Sequence, residues 1–175
     1  MPSSHQYALI AISNVARAAC FRLGVIDALE LEAVVVRDGD DAIAEITRQG
    51  PPRLLIVDLS LPRVDGFALV RKIRRQASEA DTRIIVVAAH ESLRAAAREL
   101  AGPLEIAAVL SLDIDKAGLA DVLVAESRAM RRASEAERSS IGAKAPGSEL
   151  DDMVDDPANG FMPPVHPELA ISTAG

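Results

Sequence analysis

The chain has 175 residues, which suits one domain and a tail. Net charge is −7, and an acidic chain without a basic stripe argues against nucleic-acid binding through phosphates. A single cysteine excludes an intrachain disulfide and a thiolate metal cage, and no apolar run reaches the ~20 residues of a membrane helix.

Met1 to Gln6 lacks a basic region followed by an apolar one, so no signal peptide is expected and a cytoplasmic location follows. Tyr7 to Ile12 reads as a first strand, ended by Ser13-Asn14, either of which can cap the next helix. That helix is expected over Val15 to Leu29, with Ala19, Cys20, Leu23 and Ile26 facing inward and Cys20 a small core residue. Leu31 to Val36 is a second strand, and Asp38-Gly39-Asp40-Asp41 opens an acidic helix whose Ala42, Ile43 and Ile46 turn inward. Gln49-Gly50-Pro51-Pro52 ends it.

Leu54 to Leu59 is an apolar run holding one carboxylate, Asp58, and reads as a strand buried on both faces. Pro62 and Asp65-Gly66 turn the chain into a helix with Phe67, Val70, Ile73 and Arg74 at helical spacing, running to about Gln76. Asp58 therefore falls at the C-terminal end of a central strand, where open α/β sheets place their ligands. A fourth strand over Arg83 to Ala88, a helix over Glu91 to Ala101, a fifth strand over Ile106 to Leu112 and a last helix from Asp115 to about Arg138 complete the alternation. Five strands separated by single helices make a doubly wound five-stranded parallel sheet, an α/β (βα)5 fold.

From Ser139 to Gly175 the composition turns to Gly, Pro, Ser and Ala, with six carboxylates against one lysine. Residues 139–175 are expected to form a disordered acidic tail beside a domain over residues 1–138. Phe161-Met162-Pro163-Pro164-Val165 is an apolar island in it, either solvated or available to a partner.

The nine residues Asp58-Leu59-Ser60-Leu61-Pro62-Arg63-Val64-Asp65-Gly66 resemble the phosphoacceptor segment of bacterial response-regulator receiver domains, and the likeness covers about Tyr7 to Met130. The resemblance implies the receiver (flavodoxin-like) fold and makes Asp58 the phosphoacceptor-equivalent. In that family an acidic pair after the first strand helps to hold Mg²⁺, a Ser or Thr follows the fourth strand, and a Lys follows the fifth. The matching positions are Ser13 and Asn14, Ala88 and Leu112, and the aromatic switch position is Val109. Mg²⁺ demands near-octahedral oxygen coordination and is usually anchored by carboxylates. Phosphoryl transfer rests on positioning and charge stabilisation. The resemblance so qualified implies a degenerate pseudo-receiver: not an enzyme, with no cofactor, acting as a phosphorylation-independent protein–protein interaction module in two-component-type signalling. Its expected contact face is the last two helices and the fifth strand, for a signalling partner or a second copy, with the overhang from Arg128 to Arg138 free to pair as a short coiled coil. No nucleic acid or membrane is expected as a partner.

Three alternatives stay open. One is a phosphoaccepting response regulator that uses Asp58 with a weakened Mg²⁺ site; near that site His90 is available to donate to an anion, and Asp113 to approach Asp58, where the two carboxylates bind a cation weakly or one takes up a proton. Another is an enzyme reusing the pocket, although His5, His90 and His166 are scattered. The last is the input half of a longer signalling protein.

Overall fold

The computed structural model describes residues 6–76 and 82–142. Its strands are β1 (Tyr7–Ala11), β2 (Glu32–Val36), β3 (Leu54–Asp58), β4 (Arg83–Ala88) and β5 (Ile106–Ser111). Its helices are α1 (Val15–Leu29), α2 (Gly39–Gln49), α3 (Gly66–Gln76), α4 (Glu91–Glu99) and α5 (Lys116–Gly142). The strands form one parallel sheet in the order β2-β1-β3-β4-β5, so the expected doubly wound architecture is present.

Period-two alternation sorts the strand side chains between two cores. Leu9, Leu55, Val57, Ile84 and Val86 point to the α2–α3–α4 face, with Ala42, Leu69, Val70, Ile73 and Ala97. Ala8, Ile10, Leu54, Ile56, Ile85 and Val87 point to the α1–α5 face, with Phe21, Val25, Leu119 and Leu123. β1 and β3 are buried throughout, whereas β2 and β5 are edge strands and remain partly exposed. This explains why the central strands are continuously apolar. Between β4 and β5 the register shifts: Ile84 pairs with Ile106 but Ile85 with Ala108, leaving Ala107 as the extra residue.

The inward face of α1 differs from the expected one. Ala18, Phe21 and Val25 are buried, while Ala19 and Cys20 are exposed, Leu23 is 60% exposed and Ile26 41%. Two apolar stripes at the same spacing compete on this helix, and burial of the large Phe21 ring decides between them. Gly24 then faces α5; a Cβ there would lie 3.1 Å from Leu123 Cδ1.

Three arginines fasten the N-terminal rim of the sheet. Arg74 donates to the carbonyls of Leu104, Thr82 and Glu105 at 2.8–2.9 Å. Arg53 donates to the Met130 carbonyl and to Ser134 Oγ. Arg83, at the start of β4, pairs with the buried Glu126 of α5 at 2.6 Å.

The last helix extends to Gly142, four residues past the expected edge, because Ser139-Ser140-Ile141-Gly142 continues its turns. α4 stops at Glu99, and the chain turns over Leu100 to Glu105 where helix to Ala101 was expected. The tail from residue 143, with its apolar island, lies outside the described residues.

Candidate functional site at the C-terminal edge of the sheet

Each sequence-derived site position lies at the C-terminal edge of the sheet or in the turn beyond it, apart from Val109 within β5. Asp58 is the last residue of β3 and only 3% exposed. Its Oδ1 accepts the Ser60 N–H at 2.8 Å. Burial raises its pKa above the ordinary carboxylate range, and the Ser60 N–H pulls it back in part. Among the described residues no salt bridge reaches Asp58.

The loop after Asp58 is built to a close tolerance. A Cβ on Gly66 would lie 2.5 Å from the Asp58 carbonyl oxygen and 2.8 Å from Leu59 Cα, so α3 starts directly against the strand end. Asp65 caps α3, accepting the Ala68 N–H at 2.9 Å. Arg63 takes a left-handed φ of 68° and reaches Asp38 and Asp40 at 3.6 and 3.7 Å, tying this loop to the start of α2.

Ser13 and Asn14 follow β1 and are exposed. Asn14 is the N-cap of α1, its side chain accepting the Arg17 N–H at 3.0 Å. Ala88 ends β4, and its carbonyl accepts from the Leu112 N–H at 3.1 Å and from Arg94 Nη1 at 2.8 Å. The Leu112 side chain packs into the α1–α5 core, and Val109 packs on the opposite face. His90 is exposed at the N-cap of α4 and makes no side-chain cap bond.

Two features were not foreseen. Arg94, on the first turn of α4, places Nη1 2.8 Å from both the Ala88 and the Ala89 carbonyl oxygens, with its side chain 16% exposed. It is also 2.6 Å from Glu91, and only that i,i+3 pair is visible in the sequence. Asp113 binds Arg17 of α1 at 2.6 Å, which assigns it a different partner from Asp58. A pairing across 96 positions has no sequence signal.

This donor set does not fit Mg²⁺. The carboxylates expected of such a site are replaced by a serine hydroxyl and by an amide oxygen engaged in capping α1. Among the described residues no group of three or more His, Cys, Asp or Glu side chains is arranged to hold a metal. Among them too, no helix is long and apolar enough to cross a membrane.

Comparison with known proteins agrees with this architecture. The family model described as "Response regulator receiver domain" matches residues 19–123. Among solved structures, a signal receiver domain from Vibrio parahaemolyticus superposes with a TM-score of 0.64 at 22% identity, covering 76% of this chain and 98% of that one. The REC domain of AraT, a response regulator from Geobacillus stearothermophilus, gives 0.64 at 21% identity, covering 74% and 98%. A CheY-like receiver domain from Methylobacillus flagellatus gives 0.54 at 27% identity, covering 67% and 95%. No curated protein matches the sequence. With the sheet order, the edge-placed Asp58 and a family match over more than half its length, the chain belongs to the response regulator receiver domain family.

Proposed function

We propose that this receiver-family chain acts without phosphorylation, as a protein–protein interaction module in two-component-type signalling. The observation that carries the reading is the isolation of Asp58 among the described residues: a buried carboxylate with one backbone N–H as its hydrogen-bond partner there and no carboxylate cluster suited to a cation. Ala88 offers no hydroxyl at the end of β4, and Leu112 turns a hydrocarbon side chain into the core where the family carries a lysine. A hydrogen bond to a charged group contributes roughly 1.5–3 kcal/mol, so removal of several such donors lowers a phosphoryl-transfer rate by orders of magnitude. The contact face in this reading comprises α4, β5 and α5, where an edge strand leaves backbone groups open to a signalling partner or a second copy.

Incubation of the full chain with a small phosphodonor and Mg²⁺, followed by intact mass, tests the reading. The expected result is an unmodified mass. A phosphoadduct that disappears in Asp58→Asn overturns it in favour of a phosphoaccepting regulator.

A further inference from the structure

The repacking of α1 leaves an apolar cavity of about 390 Å³ between α1 and α5, bordered by Cys20, Leu23 and Val124. Leu23 is 60% exposed and Val124 40%, and Cys20 is also exposed. A second hollow of about 230 Å³ adjoins the first, sharing Ala28 and Val124 with it, and is bordered by Arg128 and Arg131. A third, of about 350 Å³, shares Ser127 and Arg131 with the second and reaches Arg138. The three form one trough along α5, apolar at the far end and net basic towards Gly142, where Arg53, Arg128, Arg131 and Arg138 outnumber Glu30 and Glu135. Among the described residues, Arg128, Arg131 and Arg138 have no salt-bridge partner.

The chain beyond Gly142 carries the complementary pattern in the complementary order. Residues 149–156 hold five carboxylates and no cation, and Phe161-Met162-Pro163-Pro164-Val165 follows. A chain leaving α5 and running back along it meets the arginines first and the apolar cavity second. Length allows this. From Gly142 back to Val124 is about 27 Å of helix at 1.5 Å per residue. The residues from Gly142 to Phe161 span up to roughly 60 Å when extended.

We infer that residues 149–165 of the same chain occupy this trough, with their carboxylates against Arg128, Arg131 and Arg138 and with Phe161 and Met162 in the apolar cavity beside Cys20. The tail then covers the α1–α5 face and withholds it from other proteins. This inference is independent of whether Asp58 accepts phosphate.

Cys20 is the only cysteine and borders the cavity, so its reaction with an aromatic disulfide reagent reports occupancy of the trough in the full chain. The wild-type thiol reacts in proportion to the uncovered fraction, about tenfold slower than in Phe161→Ser/Met162→Ser or Arg128→Glu/Arg131→Glu. Raising salt towards 1 M, where the Debye length shrinks to about 3 Å, speeds the wild type towards the variants. Protection that is unchanged on dilution, with a monomeric mass in sedimentation, is the expected result. Equal rates in wild type and both variants overturn the inference. Protection that is lost on dilution also overturns it, and assigns the trough to a second copy. The changed residues lie on the surface or in the tail, and far-UV circular dichroism verifies the fold in each variant.

Discussion

Arg17 and Asp113 meet at 2.6 Å and join the first turn of α1 to the turn that follows β5. The cation comes from the helix and the anion from the loop after the fifth strand. Both side chains are well exposed, at 35% and 70%, so the pair is screened. Arg17→Ala is expected to cost no more than ~1 kcal/mol, with a fall in Tm that vanishes in high salt. Thermal melts at low and high ionic strength check this.

Asp58→Asn is expected to stabilise the protein at neutral pH. Burial raises the folded-state pKa of Asp58 above its unfolded value. Such a group favours the folded state fully below the unfolded pKa, and that contribution is lost as pH rises through the folded pKa. Asparagine keeps an oxygen for the Ser60 N–H without the buried charge. The variant's Tm should exceed that of wild type at pH 7, and the gap should close as pH falls below the ordinary carboxylate range. A variant that melts lower at pH 7 contradicts this account.

Rebuilding the acidic pair should create a cation site. Asp caps a helix about as well as Asn, so Asn14→Asp keeps the α1 cap, and Ser13 is exposed. Ser13→Asp/Asn14→Asp is expected to bind Mg²⁺ saturably in calorimetry, where wild type gives no saturable heat. Adding Ala88→Thr and Leu112→Lys should then permit a phosphoadduct on Asp58. Saturable Mg²⁺ binding by wild type would contradict the donor set described above.

Gly66→Ala should be strongly destabilising. The new methyl meets the backbone at Asp58 and Leu59, and neither can move without disturbing β3. A loss of about 1–3 kcal/mol is expected from overpacking of this kind. Urea unfolding with an unchanged m-value measures it.

Arg83→Met should cost roughly 1.5–3 kcal/mol, because it strands Glu126 in a buried site without its charged partner. Arg83→Met/Glu126→Leu should recover most of that loss, since an apolar pair of similar volume removes both desolvation costs. The double-mutant cycle decides the matter.

Much of the fold was legible in the sequence because strands buried on both faces admit few polar residues. Leu54 to Val57 and Ile84 to Val87 announce themselves this way, and Gly50-Pro51-Pro52 and Pro62 mark the breaks between elements. The face of α1 was not legible. Ala19, Leu23 and Ile26 satisfy helical spacing as well as Ala18, Phe21 and Val25 do, and only the partner surface on α5 separates them. At the site, Asp58 and its turn were readable as a contiguous motif. Arg17–Asp113 and the Arg94–Ala88 contact were not, because they join segments that only the crossovers bring together.

The arginine fastening at the opposite rim has a consequence for how the molecule meets acid or alkali. Arg53 grips a carbonyl and a hydroxyl, groups that neither gain nor lose a proton in ordinary solution, and a guanidinium keeps its own, whereas Arg74 adds the Glu105 carboxylate to its carbonyl partners and Arg83 holds Glu126. The Arg53 clasp is therefore blind to pH, while at the other rim burial makes the Asp58 carboxyl hold its proton to higher pH than a solvent-exposed carboxyl does.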